Sequence, residues 1–320
     1  MAFVALTCPQ CGAPLPRQAR WRNVTCPYCT AVVTRARDVV QAAWFREAAQ
    51  RARAADSSGQ LWRWRGAAYR VLAPLGGGDA ADVFLAQRLF PAERVVIKLA
   101  RDAVTAAALE REAAILARLQ GLQTAGSAYF TQRLPQPIGA GIAHDGAGNE
   151  RTALLLRHPS GYWGSLEDAR AGYPVGIDPR HVVWMWRRVL EVLAYTHDNG
   201  WAHGRLCNRH LLVHPRNHGV LIIGWSQAHE GANAQAKARD LRQVAWSMRA
   251  LLSAGEGEPA IAATVPAPLA RVLRLASEDE SACDALGARG IEAELKAAAG
   301  EAFGAPRFVV FEPAPRGPAN

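Results

Sequence analysis

The sequence predicts an α+β protein with one large domain of two lobes, the first rich in strands and the second helical, preceded by a small separate module. Three observations lead there. Short β-patterned runs dominate from Leu61 to Arg157, apolar stripes at helical spacing dominate from His181 onward, and four of the six cysteines lie between Cys8 and Cys29. Strands first and helices afterwards, rather than strict alternation, is the signature of the α+β class. A length of 320 residues suits one two-lobed domain plus a module, and a hydrophobic content of 50% is enough for a sizeable core.

The module spans residues 1–34. Cys8-Pro9-Gln10-Cys11 and Cys26-Pro27-Tyr28-Cys29 are two C-x-x-C knuckles separated by fourteen residues, and Gly12 follows the first. Four thiolates at this spacing suit tetrahedral Zn²⁺ in a closed, structural site. So short a unit buries too little apolar surface to fold alone, so the metal would supply most of its stability. Phe3–Leu6 and Ala31–Thr34 are expected as short strands, giving a zinc ribbon. Paired knuckles fit a redox dithiol or a disulfide clip less well. Arg17, Arg20, Trp21 and Arg22 in the ribbon's central loop are contact candidates, unless they are simply solvated. Residues 35–60 read as a helical linker with Val39, Val40, Ala43, Trp44 and Ala48 along one side.

The formal net charge is +9, and arginine supplies nearly all of the positive charge, since Lys98, Lys237 and Lys296 are the only lysines. A basic surface favours acidic partners or nucleic acid. A solvated, arginine-biased surface accounts for the same charge without a partner, and is the favoured reading. No apolar run has the length of a signal core or a membrane span. A soluble, cytoplasmic protein without a membrane partner is therefore expected.

Along the large domain, Tyr69–Leu72 leads as a strand into a glycine run, Gly76-Gly77-Gly78, followed by Val83–Ala86. Val95-Val96-Ile97-Lys98 is an apolar strand in which a lysine is costly without a partner. That partner is expected to be Glu112. Ala103–Gln120 is a helix with Leu109, Ile115, Leu116 and Leu119 on its apolar stripe, and Glu112 lies three residues from both Leu109 and Ile115. Gly139–Glu150 reads as a glycine-rich hairpin tip, Thr152–Arg157 as a strand and His158–Ser165 as a turn. His181–Asn199 is a helix, and Leu211–Val213 and Val220–Ile223 form a hairpin around the turn at 214–219. Asp240–Leu252, Pro268–Ala276 and Ile291–Ala299 are the later helices, Arg307–Glu312 is expected to add a strand, and the segment after Pro313 is expected to be loose. His210, His214 and His218 recur every four residues, but Pro215 argues against a helix that would gather them on a metal.

Several of these stretches resemble the protein kinase superfamily, over about residues 62–300, with a strand-rich lobe at 61–157, a helical lobe at 158–300 and a tail at 301–320. Gly76, Gly78 and Val83 match the family's G-x-G-x-x-G-x-V loop, with Ala81 in place of the third glycine. Val95–Lys98 resembles the strand that carries the nucleotide lysine, and Arg111-Glu112-Ala113 the helix that carries its glutamate. The resemblance implies a Lys98–Glu112 pair poised over nucleotide phosphates, with adenine held by backbone at 158–165. His203-Gly204-Arg205-Leu206-Cys207-Asn208-Arg209-His210 stands where the family has H-R-D-L-x-x-x-N, and Gly224-Trp225-Ser226 stands where it has D-F-G. Arg205 thus replaces the catalytic Asp, Cys207 the loop Lys, and His210 and Gly224 the two metal ligands. His203 would keep its packing role, and Asp240 would brace the loop. The segment Gln227–Ala238 has no A-P-E close and no hydroxyl to phosphorylate.

Phosphoryl transfer needs charge neutralisation at the phosphates and a carboxylate that positions the attacking hydroxyl. No carboxylate occurs between Trp201 and Ser226. The expectation is therefore a pseudokinase rather than an enzyme, a scaffold or allosteric regulator for a protein partner, with structural Zn²⁺, without Mg²⁺, and with ATP binding left open. The alternatives are an active, atypical ATP-dependent kinase-fold transferase, which would have to draw on Glu230 or Asp240, and a nucleic-acid adaptor acting through the ribbon. The ribbon reading predicts about one zinc ion per purified chain by elemental analysis, lost in Cys26→Ser. A metal-free wild-type chain would remove it.

Overall fold

The computed structural model describes residues 24–25, 32–33, 60–77, 81–254 and 259–313. Cys8, Cys11, Cys26, Cys29, the expected strand Phe3–Leu6, the linker helix, Gly78 and the segment after Pro313 lie outside the described residues. In the amino-terminal region, β1 (Val24–Thr25) pairs antiparallel with β2 (Val32–Val33). The large domain divides into two compact units. The first runs to Ser160 and takes back Trp225–Gln227, and the second holds Gly161–Gly224 and the chain from Ala228 onward.

The first unit is strand-built. It contains β3 (Leu61–Trp64), β4 (Ala67–Gly77), β5 (Ala81–Arg88), β6 (Glu93–Ala100), β7 (Pro137–His144) and β8 (Glu150–Arg157). They close into a barrel in the order β3-β4-β5-β6-β8-β7, every pair antiparallel, with β7 returning to β3. Alternation sends one face of each strand inward. Val95, Ile97 and Leu99 of β6 meet Trp62, Trp64 and Tyr69 in the interior. The stretch read as a glycine-rich tip is mostly strand, and the turn is confined to 145–149. Its glycines serve packing: a Cβ on Gly139 would lie 3.3 Å from the Trp64 indole.

Among the described residues this unit has two α-helices, α1 (Ala103–Gln120) and the short α2 (Ser127–Phe130). A capping box starts α1. The Asp102 carboxylate accepts from Thr105 N at 2.8 Å, and the Thr105 hydroxyl accepts from Asp102 N at 3.0 Å. Leu109, Glu112, Ile115, Leu116 and Leu119 are buried, the stripe that the periodicity predicts.

The second unit is mainly helical: α3 (Leu166–Ala171), α4 (Pro179–Asp198), α5 (Ala234–Leu252), α6 (Ala267–Glu278) and α7 (Glu280–Phe303), the last kinked at Gly287. Short strands accompany them. β10 (Trp201–Ala202) pairs with β13 (His229–Glu230), and β11 (Leu211–His214) lies between β12 (Gly219–Ile222) and β9 (Gly164–Ser165). The hairpin register, Leu211↔Ile222 to His214↔Gly219, agrees with the sequence reading. Most of α4 is buried, and its two buried arginines are paired, Arg188 with Glu191 at 2.6 Å and Arg187 with Glu292 at 3.3 Å.

Several boundaries differ from expectation, among them the last helix, which runs Glu280–Phe303 where Ile291–Ala299 was expected. α5 begins at Ala234, capped by Asn233, so Asp240 lies inside the helix rather than opening it. The alanine-rich first turns carry no apolar stripe to announce them. Arg307–Glu312 forms no strand. Phe311 is instead buried and stacked on Tyr173 with ring centroids 6.0 Å apart, and the Tyr173 hydroxyl donates to Glu312 O at 2.6 Å.

Beneath that anchor, His181 Nδ1 and His218 Nε2 share a hydrogen bond of 2.8 Å. His218 therefore belongs to a buried histidine pair and not to a row with His210 and His214. Burial first, then the neighbouring His181 and Arg188, pushes the His218 imidazole down to about 3 from 6.5. Burial likewise lowers His181, while Asp178 opposes that shift and Arg180 adds to it. The unfolded chain thus takes up these protons first. The stability that neutral His218 contributes is full above pH 6.5 and declines as the pH falls toward about 3. Melting temperature followed across that window should fall less steeply in His218→Asn, a residue that tolerates the native φ of +52°. Parallel profiles for the two proteins would contradict this account.

Candidate active site

Strand register gathers the predicted nucleotide residues of the first unit. Gly76 stands opposite Val83, Val83 opposite Lys98, and Lys98 opposite Leu154, so that one cross-strand row carries the first loop glycine, the valine and the lysine. Gly78 falls in the part of the loop outside the described residues.

Lys98 points away from the barrel interior, on the face opposite Ile97 and Leu99. Its Nζ donates to both oxygens of Glu112, at 2.7 and 2.8 Å. The pair is largely removed from water, with side-chain exposures of 13% and 3%. Glu112 Oε1 also accepts from the backbone N–H of Trp225 at 3.3 Å. One carboxylate thus fixes the lysine and the start of the segment after Gly224. The lysine keeps a third N–H for an anionic ligand.

A second set of charges braces the glycine loop, and the sequence reading missed it. Asp82, one residue before Val83, accepts from Arg101 Nε at 3.0 Å and from an Arg151 guanidinium nitrogen at 2.7 Å. The Arg151 and then the Arg101 hydrogen bonds hold its carboxyl below the usual carboxylate range. Arg101 lies against Gly77, where a Cβ would come within 2.8 Å of its guanidinium. Arg151 Nε also reaches Ala100 O at 2.9 Å.

In the second unit the polar loop is hung on Asp240. This fully buried carboxylate accepts from His203 N at 2.7 Å, Gly204 N at 2.8 Å and His197 Nε2 at 3.1 Å. Both oxygens hold the loop, the bracing role expected of Asp240. His203 is buried as expected. Its Nε2–H donates to Ile223 O at 3.0 Å, and its Nδ1 accepts from Arg205 N at 3.3 Å. Gln243 fixes Leu206 N at 2.7 Å.

The three positions where the kinase carboxylates and amide are absent come together. His210 Nδ1 donates to Arg205 O at 2.7 Å, and His210 O accepts from Ile223 N at 2.8 Å. The imidazole then lies directly on Gly224, where a Cβ would sit 2.7 Å from its Cδ2 and 2.8 Å from its Nε2. Gly224 also has a φ of +82°. The exchange of residues is mutual: His210 occupies the space that a side chain at 224 would need. Cys207 stands alongside, its Sγ 3.6 Å from His210 Nδ1. Burial alone would push the Cys207 thiol up, but the His210 ring and the Arg209 and His210 amides outweigh it and bring the thiol below its ordinary range.

These groups decide what the loop can hold. Magnesium prefers oxygen ligands in an octahedron. Arg205, His210 and Gly224 offer a cation, an imidazole and no side chain, a set that does not fit it. No group of three or more His, Cys, Asp or Glu fit for a metal occurs among the described residues. Glu230, the other candidate carboxylate, is exposed in β13 opposite Trp201. Gly224→Ala should cost about 1–3 kcal/mol through its backbone alone, and more from the His210 contact. In urea unfolding, His210→Ala should recover the contact part of that loss. Additive effects of the two substitutions would show that the ring and Gly224 are independent.

Comparison with known proteins follows the same lines. The crystal structure of the BubR1 kinase domain superposes with a TM-score of 0.54 at 13% identity, covering 77% of this chain and 84% of that one. A second kinase domain gives 0.47 at 12% identity, covering 70% and 77%. At such identity the BubR1 likeness speaks for the fold, a kinase-like arrangement of strands and helices. No curated protein matches the sequence. The family model of the lipopolysaccharide kinases (Kdo/WaaP) matches residues 80–263. That match overturns the expectation that the chain is not an enzyme: the missing carboxylates of one kinase pattern were read as lost activity, whereas the family found here is one of kinases. The matched segment covers more than half of the sequence and includes Lys98, Glu112, the His203–His210 loop and Gly224, and the chain belongs to the lipopolysaccharide kinase (Kdo/WaaP) family.

Proposed function

We propose that the chain is an ATP-dependent phosphotransferase of the kinase fold that acts on a hydroxyl acceptor. The observation that carries this reading is the buried Lys98–Glu112 pair in the strand row of Gly76 and Val83, with Glu112 also bound to Trp225 N. A scaffold has no need of a desolvated lysine pre-oriented beside a glycine loop, because such a pair is seldom a net gain in stability over apolar packing. A nucleotide-binding unit does, since phosphates supply the anion that the ammonium's remaining donor requires.

In this reading Glu112 orients Lys98, Lys98 binds phosphate oxygens, and the Asp82–Arg101–Arg151 network keeps the glycine loop in register with the strand below it. Arg205 and the His210 imidazole give the second unit a cation and a ring in place of carboxylates. Such groups favour developing negative charge through electrostatics and hydrogen bonds. The family's description supports a saccharide hydroxyl, of the kind borne by lipopolysaccharide, as the acceptor class. The four-cysteine zinc site is part of the proposal as a structural element only.

The test is transfer of labelled γ-phosphate from ATP to lipopolysaccharide by the full chain, with ADP release measured alongside. Lys98→Ala should lower the rate by roughly 10²–10³, the usual loss when one charge-stabilising group is removed. A wild-type chain that releases no ADP, and whose melting temperature saturating ATP does not raise, would overturn the proposal.

A further inference from the structure

The turn between β5 and β6 reads Leu89-Phe90-Pro91-Ala92, and all four residues are exposed. Phe90 is 87% exposed and Leu89 38%. Turns ordinarily carry Gly, Asn, Asp or Ser, which supply local hydrogen bonds and solubility. A run of four exposed apolar residues is a folding liability unless it has a use.

The strands behind this tip are basic. Arg70 of β4 faces Gln87 of β5, and Gln87 faces Arg94 of β6, so two arginines flank one glutamine in a single cross-strand row. Arg88 opens the turn, and Arg157 stands opposite Val95 on β8. The one carboxylate at these strand ends is Glu93, which Arg157 binds at 3.1 Å. On the other face of the same strands Arg88 stands opposite Glu93 and Arg157 binds it, so the outward row of Arg70, Gln87 and Arg94 carries positive charge and no carboxylate.

We infer that this hairpin is a docking element for an anionic lipid bilayer, with Phe90 and Leu89 entering the boundary between headgroups and acyl chains while Arg70 and Arg94 lie against lipid phosphates. The pattern fits that surface better than a protein. Four turn residues are too few to form the face of about 800 Å² that each partner of a stable protein pair buries. A second copy would bring its own arginine row against this one. A bilayer requires only shallow apolar entry combined with diffuse negative charge, and aromatic side chains settle at that depth. No helix among the described residues is long and apolar enough to cross a membrane, so the contact proposed is peripheral. It is independent of phosphoryl transfer.

Sedimentation of the full chain with vesicles tests it. Vesicles of phosphatidylcholine mixed with phosphatidylglycerol should bind the protein, those of phosphatidylcholine alone should bind it far less, and added salt should weaken the binding. Phe90→Asp should lower partitioning by on the order of tenfold or more. Arg94→Ser should lower it roughly fivefold, the weight of one basic residue near an anionic surface. Phe90→Ser serves as a second variant. Neither Phe90 change should shift the melting temperature or the rate of ATP turnover without vesicles, because the side chain is solvated. Equal binding to both vesicle types, no binding to either, or undiminished binding by the Phe90 variants would overturn the inference. So would light scattering that shows a wild-type dimer dissolved by Phe90→Asp, which would give the tip to a second copy instead.

Discussion

The side chain on which most depends is the Glu112 carboxylate, and the constraint is that it cannot stay buried without partners. Removing an ion from water costs several kcal/mol even after relaxation. Three donors offset that cost: the Lys98 ammonium meets both oxygens, and Trp225 N meets one of them. The two donor groups and the acceptor come from three different elements. β6 delivers the lysine, α1 the carboxylate, and the chain just after Gly224 the amide. The position of α1 against the barrel, the direction of the lysine and the start of the Trp225 turn are therefore set together.

The second unit solves the equivalent problem with Asp240, and the two solutions differ in kind. Glu112 receives a side-chain cation and leaves that cation part of its hydrogen-bonding capacity. Asp240 receives two backbone amides and a histidine, and is used up in giving the His203–His210 loop its shape. Above it the loop has traded carboxylate chemistry for cation and imidazole. That trade is structurally complete, because the His210 ring takes the room that Gly224 leaves. Restoring a carboxylate at position 224 alone would meet an occupied space and a left-handed backbone.

Much of the fold was legible because it rests on periodicity. A lysine in an apolar strand and a glutamate in an apolar helical stripe each stand out, and each implies the other. The hairpin at 211–222 announced itself by two apolar runs around turn residues. What escaped lacks that kind of signal. Asp82, Arg101 and Arg151 are partly exposed charges far apart in sequence, and nothing periodic marks them as a network. His210 and Gly224 each read as a loss, and only their contact shows that one compensates the other. Arg307–Glu312 alternates like a strand, yet Phe311 is anchored among the rings of Tyr173, His181 and His218. The inference from absent carboxylates to absent activity failed for a related reason. It weighed one pattern of residues and no wider likeness, and the family that the chain belongs to is one of kinases.

Closure of the six-stranded barrel has a further effect. In an open sheet, the outermost strands present rows of unsatisfied N–H and C=O groups, and many proteins recruit peptides by letting them continue the sheet. Here β7 pairs back onto β3 through Arg63↔His144 and Trp64↔Ala143, which closes the described strands into a ring. Across the paired residues neither strand addition nor the edge-to-edge stacking that drives many β-rich proteins into fibrils finds an open edge.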